Sequence, residues 1–173
     1  MSGIRTTYSG LISVSVGVIT ILTGLVFTLI ITRTLSMEEY GTWSLIIGIL
    51  MYAVIIEPII SYWATRETAR SENSQKTSIF AAGVFSSIGM IIFLITSLIV
   101  SDESVVNTDI IIFGIILVPG MFLYRITYAI NLGWKPHLAS YGFLISEATK
   151  VPIVLTLVYF FNMGVLGIII TFF

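Results

Sequence analysis

The sequence predicts an all-α fold, a polytopic bundle of transmembrane helices with five complete helices and the start of a sixth. Three observations carry this. Of the 173 residues, 57% are hydrophobic and only 10% charged, against about 25% charged in ordinary soluble domains. The mean hydropathy is +1.05. Apolar runs recur between short polar breaks, and most reach the roughly 20 residues that a ~30 Å hydrocarbon core demands.

The first helix is expected at about 9–31. Its run exceeds the ~7–15 residues of a signal-peptide core and no small-residue cleavage site follows, so it reads as a spanning helix rather than a cleaved leader. Arg33 ends it. The stretch Arg33-Thr34-Leu35-Ser36-Met37-Glu38-Glu39-Tyr40-Gly41-Thr42-Trp43-Ser44 then reads as a tight hairpin. Ser36 with Glu39 three residues on has capping-box spacing for a short helical turn, which Gly41 is expected to break. Tyr40 and Trp43 suit the lipid headgroup level. Helix two follows at about 42–64, then a polar segment at 65–77 with Arg66, Glu67, Arg70, Glu72 and Lys76. Helix three is placed at about 78–100, an acidic loop with Asp102 and Glu103 at 101–108, and helix four at about 109–131. Gly133-Trp134-Lys135-Pro136 makes a turn before helix five at about 137–161, and Asn162-Met163-Gly164 makes another. The last apolar run, 165–173, covers only about 13 Å at 1.5 Å per residue. The expectation is a partial N-terminal transmembrane lobe, 1–173, cut inside helix six; a re-entrant or interfacial tail is the alternative.

Lys and Arg in the loops set orientation. One side collects Arg5, Arg66, Arg70, Lys76 and Lys135, the other only Arg33. This places the N-terminus and the 65–77 segment in the cytoplasm and the 33–41 hairpin outside, in a multi-pass protein of the cell (cytoplasmic) membrane. The 66–76 charges also suit contact with anionic membrane lipids.

Composition narrows the chemistry. With no Cys and one His, thiol redox chemistry, disulfides and thiolate metal sites are excluded, and no metal or cofactor is expected. A net charge of −1 with no basic face gives nucleic acid nothing to bind. The sequence holds no His–carboxylate–nucleophile set and no phosphate-cradling glycine loop, so an enzyme is not expected.

Candidate site residues lie inside the apolar runs, where a charge must pair, neutralise or face water. Helix five carries Glu147, Lys150 and Pro152. Lys150 falls near the bilayer centre, where a Lys costs about 2.5–3.5 kcal/mol on insertion scales. Glu147 is one turn away on the same face and in pairing range, and Pro152 frees the carbonyl of Ala148. The set suits a solvated cavity, or else a buried pair that only fixes packing. Glu57 beside Pro58 in helix two either faces such a cavity or reaches the interface from the helix end, while Pro58 can kink the helix. Arg125, a few residues beyond Pro119-Gly120 in helix four, either snorkels or points inward to grip phosphate bidentately. Gly10, Ser13, Gly17, Thr20 and Gly24 form a small stripe on helix one, for close packing or for a cavity face.

Two stretches resemble a known family. The first is Ile31-Thr32-Arg33-Thr34-Leu35-Ser36-Met37-Glu38-Glu39-Tyr40-Gly41, continuing through Thr42-Trp43-Ser44-Leu45. The second is Trp63-Ala64-Thr65-Arg66-Glu67-Thr68-Ala69-Arg70. They look like the N-terminal part of Wzx-type polysaccharide (oligosaccharide-lipid) flippases, in the multidrug/oligosaccharidyl-lipid/polysaccharide exporter superfamily. The family's R-x-L-s-p-e-e-y-G hairpin is matched at Arg33, Leu35, Ser36, Glu38, Glu39, Tyr40 and Gly41, with Met37 at the frequent proline. Its R-e-x-A-R element is matched at Arg66, Glu67, Ala69 and Arg70. The resemblance implies a two-lobed bundle of twelve to fourteen helices working by alternating access, with the C-terminal lobe of the same chain as partner. The implied substrate is a lipid-linked oligosaccharide. For such a substrate Lys150 and Arg125 are candidates to hold the phosphate, Glu57 and Glu147 to pair with them or to couple an ion or proton, and Ser13, Thr20 and Asn131 to bond sugar hydroxyls. Rival readings are a multidrug or small-solute exporter of the same superfamily, a lipid-modifying membrane enzyme with its motif elsewhere, and a non-transporting scaffold if the chain is complete.

Overall fold

The computed structural model describes residues 6–71, 74–103 and 108–172, leaving aside the side chains of 6–9, 11, 13, 101–103 and 108. These residues are helical almost throughout, with no strand among them. In order they form α1 (Thr6–Thr34), α2 (Met37–Ala53), α3 (Glu57–Arg70), α4 (Gln75–Glu103), α5 (Thr108–Phe113), α6 (Leu117–Trp134), α7 (Pro136–Val154) and α8 (Gly164–Phe172). A 3-10 turn, Gly114–Ile116, joins α5 to α6, and a π-helical stretch, Leu155–Phe160, continues α7.

Among the described residues four stretches are long and apolar enough to cross a membrane: Val14–Thr34, Gln75–Val100, Asp109–Trp134 and Pro136–Phe160. The bent pair Met37–Ala53 and Glu57–Arg70 is apolar and long enough to make a fifth if it is counted as one span. Ile21, Leu25, Ile55, Ile59, Phe80, Ile91 and Ile99 are large apolar side chains left exposed, as expected of helices solvated by lipid tails rather than water.

The expected helix two is two helices meeting at 54°. Pro58 has no N–H to give, and the backbone around it regroups: Glu57 N–H bonds the Val54 carbonyl at 2.9 Å and Ile59 N–H the Ile56 carbonyl at 3.2 Å. The anticipated kink is therefore a break, with Pro58 in the first turn of α3, where proline costs no hydrogen bond. The polar segment expected at 65–77 is helical through Arg70, and the acidic loop loses 101–103 to α4. Residues 72–73 and 104–107 lie outside the described residues.

The hairpin is also corrected. Ser36 Oγ accepts from Glu39 N–H at 3.2 Å and the Glu39 carboxylate accepts from Ser36 N–H at 2.9 Å, so the capping box is present. It opens the whole of α2, and Gly41 lies inside that helix without breaking it. Trp43 is buried, with its ring 5.5 Å from Phe172, because the α8 face gives the indole a partner that the headgroup layer does not.

The core lies between the bent pair, α4 and α6. Phe93, Ile46, Val118, Phe122 and Ile126 are almost wholly inaccessible there. Helix α6 is central, lying along α3 and α4 and touching α7, while α1 lies mainly along α7. Close approach falls at glycines outside the α1 stripe. A Cβ on Gly133 would stand 2.5 Å from the Thr65 carbonyl oxygen of α3, and one on Gly89 would stand 2.8 Å from the Ala53 carbonyl oxygen. Gly10, Gly17 and Gly24 meet no neighbouring atom within 4 Å, so among the described residues these three glycines serve no close helix packing.

Candidate functional site

Among the described residues two ion pairs sit near the middle of the apolar spans. The first is on α7. Lys150 Nζ lies 3.6 Å from Glu147 Oε1, which the i, i+3 spacing puts within reach on one helix face. Both side chains are largely covered, at 19% and 12% exposure. Glu147 also accepts at its other oxygen from the Thr23 hydroxyl of α1 at 2.9 Å. The Lys150 ammonium stands 4.7 Å from the ring centre of Phe27 and 4.8 Å from that of Phe172. These two rings meet edge to face at 5.4 Å. The cation thus has a carboxylate and two π faces, which offset part of the cost of holding it away from water.

The second pair joins helices. Glu57, buried at the first turn of α3, lies 4.0 Å from Nε of Arg125 on α6. Its other oxygen accepts from the Ser61 hydroxyl one turn on. The positive pole of the α3 N-terminus favours a carboxylate there. Glu57 is thus paired inside the bundle, at the start of a helix that runs on thirteen residues to Arg70. Arg125 is 54% exposed at its side chain, so the pair covers it only in part. The Tyr124 hydroxyl lies 3.5 Å from Ser146 Oγ and ties the α6 turn carrying Arg125 to the α7 turn carrying Glu147.

The structure therefore brings Lys150 to Glu147 and Arg125 to Glu57, each cation with its own acid. It does not bring Thr20 or Asn131 to either pair. The Thr20 hydroxyl donates to the Val16 carbonyl of its own helix at 2.9 Å. Asn131 is half-buried near the end of α6, where its carbonyl accepts from Lys135 N–H at 2.8 Å. Ser13 lies on α1, but its side chain is outside the described ones.

Sequence reasoning passed over Thr23, Phe27, Ser61 and Phe172. A signal for the first two existed. Val16, Thr20, Thr23, Phe27 and Ile31 recur at three- and four-residue steps, the spacing of a single helix face. Val16, Phe27 and Ile31 are buried on α1 among its described side chains. Glycine spacing pointed to a face about 80° further round the helix.

Among the described residues, no group of three or more His, Asp or Glu side chains stands close enough to hold a metal ion. Comparisons with protein-family models, with curated proteins and with solved structures found no match to this chain. The fold and the two mid-span pairs thus define a polytopic helical bundle with apolar, membrane-length helices and charges at its middle depth.

Proposed function

We propose that this chain is part of a transporter that moves a lipid-linked oligosaccharide across the cytoplasmic membrane by alternating access, without chemical change to the substrate. The observation that carries the reading is the Glu147–Lys150 pair, held at mid-span by Thr23, Phe27 and Phe172. An intramembrane ion pair points to a substrate or ion path. An ammonium that can leave its carboxylate for a phosphate suits the head of a lipid-linked sugar. Arg125, more than half exposed beside Glu57, supplies a second cation on the neighbouring helix. The hairpin and 66–70 motifs add family resemblance, and with it a second lobe, while the loop Lys and Arg residues favour a cytoplasmic N-terminus and the mid-span carboxylates a coupling ion or proton. A rival is export of organic cations: Glu147 with Phe27 and Phe172 forms a carboxylate-and-aromatic site in which Lys150 occupies the cation position.

The test uses the native protein, captured through its 66–76 segment and reconstituted in vesicles with a fluorescent polyisoprenyl-pyrophosphate oligosaccharide. The wild-type protein translocates it. The Glu147→Gln/Lys150→Gln pair, which leaves no unpaired charge, slows it by about tenfold or more, as loss of a charge-assisted phosphate contact implies. Unchanged translocation by that pair at normal expression would sink the phosphate role. An intact mass above twice 19.1 kDa is expected for the two-lobed protein, and 19.1 kDa itself would overturn the second lobe.

A further inference from the structure

Beyond Val154, α7 passes into its π-helical stretch, and a groove of about 340 Å³ opens between this stretch and α1. Val26, Leu29 and Ile30 line one wall and Leu155 and Tyr159 the other. The α1 residues recur at three- and four-residue steps, so they form one stripe. Thr34 also lines the groove, and its hydroxyl is committed to the Ile30 carbonyl at 2.6 Å. At the far end stands Arg33, exposed, in the last turn of α1. Among the described residues no carboxylate lies within 4.0 Å of it. From Val26 to Arg33 the stripe rises about 10 Å, roughly the outer third of a ~30 Å hydrocarbon core.

We propose that this groove is a binding site for one anionic phospholipid of the surrounding bilayer, with an acyl chain along the apolar walls and the phosphate on Arg33. Water does not fill an apolar groove of this kind. At that depth only lipid or protein occupies it, and a protein occupant would have to bring its own acid to Arg33. Guanidinium is the side chain best matched to a phosphate, and its place at the end of α1 sets it at the headgroup level. The site is distinct from the two mid-span pairs and needs only that these helices stand in a bilayer, not that the protein transports anything.

The test reconstitutes the full chain in phosphatidylcholine vesicles with a trace of phosphatidylglycerol carrying a diazirine near the end of one acyl chain. Phosphatidylcholine with the same label runs in parallel. After irradiation, labelled peptides are mapped. Label from phosphatidylglycerol is expected to concentrate at 26–30 and 155–159 relative to Ile91 and Ile95, exposed apolar residues of α4. It should exceed label from phosphatidylcholine about fivefold, the preference one Arg near an anionic lipid implies. Arg33→Gln should bring that ratio to one while Arg33→Lys keeps most of it. Leu29→Trp, which fills the groove, should lower labelling at 155–159 by both lipids. Equal labelling by both lipids overturns the proposal, as does labelling no denser than on α4. Protection from both lipids means that protein covers the groove, which also overturns it. Displacement by polyisoprenyl phosphate in preference to unlabelled phosphatidylglycerol would assign the groove to a carrier lipid instead.

Discussion

Lys150 is the residue at which the energetics and the proposed role meet. Its ammonium and the Glu147 carboxylate are both mostly covered, so removing one partner strands the other in a medium that cannot solvate it. Removing one member of a buried pair costs about 3–5 kcal/mol, whereas removing both together is often nearly neutral. Lys150→Ala is therefore expected to lower the stability of the detergent-solubilised protein by an amount of that order. The Glu147→Gln/Lys150→Gln pair should recover most of the loss, in thermal unfolding of matched preparations. If Lys150→Ala unfolds like the wild type, the pair is not closed in solution. Glu147, Lys150 and their pairing were legible because a charge inside an apolar run stands out in any sequence. Thr23 and Phe27 were not, since a threonine and a phenylalanine inside an apolar helix carry no such mark, and only the packing of α1 on α7 shows which face they occupy. Glu39 and Gly164 are a similar case. Gly164 takes φ of 55°, and a Cβ there would collide with the Glu39 carboxylate, so the cap of α2 and the turn before α8 meet at one glycine.

Among elements, contact geometry decides what composition cannot. Gly133→Ala puts a methyl group 2.5 Å from the Thr65 carbonyl oxygen and 3.1 Å from Thr68 Cβ, so α6 must move off α3. Overpacking of this kind costs about 1–3 kcal/mol. Gly17→Ala and Gly24→Ala meet no neighbouring atom within 4 Å and should be neutral, or stabilising by up to ~1 kcal/mol through helix propensity. Thermal unfolding of the three variants side by side checks both halves, and equal effects would show that α1 packs on something this face does not reveal. The apolar runs themselves were readable, because a span must hide about 20 residues from water. The break in the second span was half readable: Pro58 marked a bend, but Val54, Ile55 and Ile56 keep the run apolar, so hydropathy sees one helix where the backbone makes two. The polar run at 65–70 looked like a loop for the opposite reason. Polar residues at a helix end leave the hydrocarbon without leaving the helix.

For the molecule as a whole, the contacts at its two ends fix which turns share a side. The Glu39 carboxylate lies against Gly164, so the turn between α1 and α2 and the turn between α7 and α8 stand together. The Thr65 hydroxyl reaches the Ala129 carbonyl at 3.2 Å, and Gly133 sits against Thr65 and Thr68. The end of α3 and the link from α6 to α7 are therefore together at the other end. Five spans, with the bent pair counted as one, give this alternation. The second end carries Arg66, Arg70, Lys76 and Lys135, against Arg33 at the first, an excess from which the positive-inside rule predicts a cytoplasmic second end. The absence of cysteine from these 173 residues makes the arrangement directly measurable, because each introduced thiol is the only one within them. With a membrane-impermeant maleimide on intact cells, Met37→Cys and Met163→Cys are expected to label, both lying at the Arg33 end and accessible. Ser71→Cys and Thr77→Cys, exposed at the basic end, should label only after the membrane is opened. The reverse pattern would overturn the orientation and leave the fold intact. Labelling of Met37→Cys without Met163→Cys in intact cells would contradict the shared end itself, and with it the count of spans on which the placement of Lys150 at mid-membrane depends.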